Sequence, residues 1–142
     1  MKRLSILLIF LLCFSGCATE KRSPSFSSIS TSGWSSYEIR GDLDYERAWK
    51  AVWNVLCRDF DIEFAARDEG YIRTAWLHTW SGKYEPDYRV RVTAKFSDDR
   101  RTISLKSEAQ MRQGATWVAG SDARLASTMK GDIMGTIGRT AR

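Results

Sequence analysis

The chain has 142 residues, enough for one domain of ordinary size, and carries 22 Lys and Arg against 17 Asp and Glu, for a formal charge of +5. A single histidine excludes a multi-histidine metal site, and three cysteines are too few for a disulfide scaffold. No Gly-rich loop follows a strand and opens a helix, and no titratable cluster converges in the sequence, so the chain reads as a non-enzyme without a soluble cofactor.

Met1-Lys2-Arg3, the apolar run 4–12 and Phe14-Ser15-Gly16-Cys17 supply the positive start, short apolar core and small-residue cleavage site of a secretory signal over residues 1–16. The apolar run is well short of the ~20 residues needed to span a bilayer. Ser15-Gly16-Cys17 resembles the bacterial lipoprotein signal, in which the cysteine is lipidated and becomes the mature N-terminus, although Phe14 stands where such signals usually carry Leu. The resemblance implies a covalent lipid on Cys17. Ala18, in place of a retaining Asp, implies an outer-membrane lipoprotein facing the periplasm. The alternative is an ordinary signal peptide with a coincidental cysteine. Loss of residues 1–16 removes Lys2 and Arg3 and leaves +3. In an exported chain that mild excess suits anionic headgroups or an acidic protein surface, and nucleic acid is out of reach.

Residues 17–36 follow as the lipidated cysteine and a Ser-rich stretch with few large apolar side chains, which reads as a flexible tether. A coil of its length has a root-mean-square span of about 25 Å. The folded domain is expected over 37–142. Residues 37–40 read as a short edge strand, and Asp44 as the N-cap of a helix whose Tyr45, Ala48, Trp49, Val52, Trp53, Leu56 and Phe60 form one apolar stripe. Residues 60–65 alternate, Asp68-Glu69-Gly70 supplies a turn, and the aromatic and branched residues of 71–80 predict one long strand.

Tyr88, Val90, Val92, Ala94 and Phe96 alternate with Arg89, Arg91, Thr93 and Lys95, and the strand 102–111 answers with Ile103 and Leu105. Folding about Asp98–Arg101 sets Phe96 opposite Ile103, Ala94 opposite Leu105 and Arg91 opposite Glu108, a register that a one-residue slip would destroy. Asp122 caps a last helix over 123–138, with Leu125, Met129, Ile133 and Ile137 on one stripe and Ser127, Gly131 and Gly135 on another. The result is an α+β domain: an antiparallel sheet of about four to five strands with an N-terminal and a C-terminal helix on one face.

Cys57 lies beside the apolar face of the first helix and reads as a small packing side chain, not a reactive thiol. His78 falls between Trp76 and Trp80 in the strand 71–80, a setting for packing or surface more than catalysis. Six tryptophans are more than a core of this size needs. Trp49 and Trp53 belong to the helix stripe, and Trp117 closes the sheet edge or anchors the last loop. Both faces of 71–80 carry apolar residues, so the face on which Trp76 and Trp80 stand is left open. On the basic face they would form, with Arg89, Arg91 and Lys95, the mixed patch typical of interface centres, with Lys106 beside it. On the other they are core.

Trp49, Val52 and Leu56 on a capped helix, then Asp68 through Trp76, then Tyr88-Arg89-Val90-Arg91-Val92, resemble the repeating domain of the BamC family of lipoproteins, components of the β-barrel assembly machinery of Gram-negative outer membranes. The similarity covers roughly residues 37–138. It implies a helix-grip fold and a structural, non-catalytic role in outer-membrane protein assembly through an envelope protein partner. The chain departs from the family in having one such domain and a short, Ser-rich N-terminal segment. Two other roles stay open: a scaffold lipoprotein of another envelope or secretion complex, and a carrier of a small apolar ligand or lipid.

Overall fold

A computed structural model describes residues 25–28 and 33–138. The signal sequence and Cys17 lie outside the described residues. Among those described, no helix is long and apolar enough to cross a membrane.

Seven antiparallel strands and two helices follow one another along the chain: β1 (Phe26–Ser27), β2 (Ser35–Glu38), α1 (Tyr45–Asp59), β3 (Ile62–Ala66), β4 (Tyr71–Thr74), β5 (Tyr88–Phe96), β6 (Thr102–Gln113), β7 (Thr116–Asp122) and α2 (Ala123–Ile137). Their order across the sheet is β1-β7-β6-β5-β4-β3. The long β6 is the hub. One edge pairs with β5 throughout; the other is shared by β2, opposite Thr102–Leu105, and β7, opposite Ala109–Gln113.

Two strands exceed the expected four to five. β7 contains Gly120 and Ser121, which weaken its strand signal. β1 lies inside the stretch whose composition reads as a tether, yet Phe26 and Ser27 pair with Asp122 and Ser121, and Ser35 and Ser36 already belong to β2. A flexible tether over all of 17–36 is therefore incorrect. Phe26 is what fastens the segment, because its ring packs edge-on against Tyr88. Gly120 permits it: a Cβ there would stand 2.6 Å from the Phe26 ring and closer still to the Ser27 carbonyl oxygen.

Local chemistry sets both helices. The Asp44 carboxylate accepts from the Arg47 N–H at 2.8 Å and opens α1, while Asp122 accepts from the Leu125 N–H at 2.9 Å and opens α2. Ala48, Trp49, Val52, Val55 and Leu56 turn one face of α1 inward, and Leu125, Met129, Ile133 and Ile137 do the same for α2. They meet Val90, Val92, Ala94, Phe96, Ile103 and Leu105 from the sheet. Each such side chain contributes roughly 1.5–3 kcal/mol on full burial. Cys57 is exposed and not part of this packing, because it lies a further 100° around α1 from Leu56. Gly131 and Gly135 open onto free space, so the small-residue stripe of α2 is not a close-packing face within the domain.

The hairpin register holds in full, with Phe96 opposite Ile103, Ala94 opposite Leu105 and Arg91 opposite Glu108. The strand expected over 71–80 does not run through. Ile72 pairs with Ala94 and Arg73 with Thr93, but the next pair is Leu77 with Val90, so one extra residue is inserted between Thr74 and Leu77. This bulge inverts the alternation. Ile72 and Thr74 face the helices before it and Leu77 faces them after it. Ala75 turns away to donate to the Asp61 carbonyl at 2.8 Å. The Val92 N–H would lose its partner there, and the buried Thr74 Oγ1 accepts it instead at 3.0 Å.

Candidate interaction surface

The bulge decides which face Trp76 occupies. A plain period of two from Ile72 would bury it; the inserted residue sends it to the outer face, where β5 presents Arg89, Arg91, Thr93 and Lys95. The Arg91 guanidinium lies 4.4 Å from the centre of the Trp76 ring and that of Arg89 lies 4.5 Å from it. The second flank of Arg89 is covered by Trp117 of β7, at 4.0 Å, reaching across β6 beside the small Ala119. Arg89 is thus held between two indoles. His78 meets the edge of Trp117, and Tyr84 lies against His78, extending the strip to the sheet's end. The loop that carries them is closed by the His78 Nδ1–H donating to the Glu85 carbonyl oxygen at 3.0 Å and by the Glu85 N–H donating to the His78 carbonyl at 2.9 Å.

Hydrogen bonds fix the two arginines differently. Arg91 Nε donates to Glu108 Oε2 at 2.8 Å, and Lys106 Nζ reaches the other Glu108 oxygen at 3.4 Å. Burial would push the Glu108 carboxyl up, but the Arg91 hydrogen bond and charge, then Lys106, outweigh it and hold the group below the usual carboxylate range. Arg89 donates from Nε and Nη2 to the neutral Gln110 Oε1, at 2.9 and 2.7 Å, and pairs with no carboxylate among the described residues. Burial first, then the neighbouring Arg91 charge, push it below the usual arginine range.

Of the five residues expected in the patch, the structure joins Trp76, Arg89 and Arg91. Lys95 is exposed on the same face, nearer its far end, and has no charged partner among the described residues. Trp80 does not belong. It stacks on Phe60 with ring centres 6.1 Å apart and packs on the core, because the turn at residues 80–82 folds it back under the sheet. Its Nε1–H is buried without a partner among the described residues. Trp117 and Gln110 are members the sequence reading missed. The alternation of Trp117 and Ala119 against Val118 and Gly120 is the signal that could have found the first, and the β5–β6 register, which sets Gln110 opposite Arg89, the second.

No group of three or more His, Cys, Asp or Glu side chains converges among the described residues. No protein-family model matches this chain, and no curated protein matches it significantly.

Proposed function

We propose that the chain is an outer-membrane lipoprotein, anchored through acyl groups on Cys17, whose domain is a non-catalytic docking module with a BamC-like helix-grip fold, accessory to outer-membrane protein assembly. The observation that carries the docking role is the outer-face strip, in which Trp76 and Trp117 hold Arg89 in place between them. Aromatic and arginine side chains of this kind dominate the binding energy of protein interfaces. The sorting and assembly parts of the reading rest on the signal sequence and the family resemblance.

The anchor would act over a short distance. Ser25 follows Cys17 by eight residues, and such a stretch reaches at most ~28 Å when fully extended. Because β1 is fastened to β7, the β7 edge of the sheet would stay within that radius of the bilayer. The carrier alternative needs space between helices and sheet. Much of that layer is filled by side chains such as Val52, Leu56, Val92, Phe96 and Ile133, all fully buried. The cleft left between α2 and the sheet, bounded by Tyr37, Val92, Leu105, Ala126 and Met129, holds about 230 Å³, below the ~300–1,000 Å³ usual for a ligand pocket.

The test is co-purification from detergent-solubilised membranes of the native chain and of Trp76→Ala, alongside Cys17→Ser. Barrel-assembly components that are recovered with the native chain and lost with Trp76→Ala are the expected result. Recovery of a secretion apparatus would favour the scaffold reading. Normal processing and membrane retention of Cys17→Ser would defeat the anchor.

A further inference from the structure

The positive charge of the chain is not spread evenly. Arg89, Arg91 and Lys95 of β5 and Lys106 and Arg112 of β6 all face outward, by the register of the two strands. Along these two strands they are opposed by Glu108 on the same face and by Asp87, 4.0 Å from Arg112; on the flanking strands Glu38 of β2 stands opposite Thr102, and Arg73 of β4 is paired with Glu63. Five cations against two carboxylates leave an excess of three positive charges along β5 and β6. Glu108 serves Arg91 and Lys106, which leaves Arg89 and Lys95 without a carboxylate among the described residues. They stand on one strand, six residues apart and on one face, about 20 Å from each other.

We propose that this surface binds an acidic, extended protein segment laid along β5, with carboxylates at alternate positions pairing with Arg89 and Lys95. The inference rests on the docking reading above and names the chemistry of the partner. Two features favour a protein segment over a lipid surface. Anionic lipid attracts mobile cations as well as fixed ones, whereas Arg89 is immobilised between two rings and by Gln110. A guanidinium already held in its fork loses little further freedom when a carboxylate docks. Both indoles are also engaged with that guanidinium, so they are not free to enter a bilayer.

The test uses the detergent-solubilised full chain and fluorescence anisotropy of a labelled peptide of alternating Glu and Thr, with the Gln–Thr peptide as control. The Glu peptide should bind at least tenfold more tightly, and Arg89→Gln should weaken it about tenfold, the size expected for one lost charge-assisted pair. Arg89→Lys should not restore binding. Lys50→Gln makes the same change of charge at an exposed position on α1 and should leave affinity unchanged. If Arg89→Gln does not fold by circular dichroism, Lys95→Gln, whose side chain has no charged partner to lose, carries the test. Equal binding of the Gln peptide, or an equal loss with Lys50→Gln, overturns the proposal. Arg89-dependent binding to phosphatidylglycerol vesicles without binding of the Glu peptide overturns it in favour of a lipid surface. Co-purification that depends on Trp76 but shows no preference for Glu removes this inference alone and leaves the docking reading standing.

Discussion

The Thr74 hydroxyl accepts a hydrogen bond from the Val92 N–H at the point where the β4–β5 ladder slips by one residue. A side chain there does what the backbone of a regular strand would do, and the slip is what brings Trp76 to Arg89 and Arg91.

Thr74→Val keeps the shape of the side chain and removes the acceptor, leaving a buried N–H unpaired. It should cost about 1–3 kcal/mol in urea unfolding, while Thr74→Ser should recover most of that loss. Amide exchange at Val92 should quicken in the Val variant and not in the Ser variant.

Trp76 and Trp80 should separate cleanly in stability. Trp80→Ala removes a ring stacked on Phe60 and should cost about 3 kcal/mol, whereas Trp80→Phe sheds an unsatisfied buried N–H and should cost much less. Trp76→Ala loses contacts to two guanidinium groups on the outer face and should cost about 1–2 kcal/mol. Thermal unfolding of the three variants ranks them directly.

Asp122 is fully buried, caps α2 and accepts the Tyr88 hydroxyl with its second oxygen. Asp122→Ala should therefore be worse than loss of a surface cap, at about 3–5 kcal/mol. Tyr88→Phe should cost about 1.5–3 kcal/mol, and a double-mutant cycle between the two should show strong coupling.

Glu108 has its carboxyl lowered in the folded chain, so its stabilising contribution is complete above its ordinary value of 4.5 and is lost as pH falls through the lower native value. The native chain should be more stable than Glu108→Gln at neutral pH. That gap should narrow on acidification below pH 4.5, the ordinary value, when the two are compared by urea unfolding at each pH. A gap independent of pH would mean that Glu108 acts through shape alone.

Local chemistry made much of this architecture legible in advance. Asp44 and Asp122 cap as their neighbours suggest, and the β5–β6 register follows from matching apolar residues with a charge pair on the reverse face. What was not legible depends on distant partners. Nothing within Thr74–Leu77 announces an inserted residue, since the slip exists only relative to β5 and Asp61. Phe26 gains its place from Tyr88 and Gly120, far along the chain, so composition alone reads its surroundings as tether. The interaction strip was half visible for the same reason: β5 shows its arginines by alternation, while Trp117 reaches them only through the pairing of β7 with β6.

The shared edge of β6 also governs when the domain can fold. β1 needs β7, β2 needs β6, and the Arg40 N–H donates to the Ile137 carbonyl at 3.0 Å beside the bridge between Ile39 and Gly138. The earliest elements close only on the latest ones, so loops spanning most of the chain must form before either end is secured. During synthesis β2 has no partner until β6 has been made, β1 has none until β7, and Ile39 and Arg40 find theirs only at the end of the last helix, so the N-terminal side of the domain stays open until the chain is nearly complete.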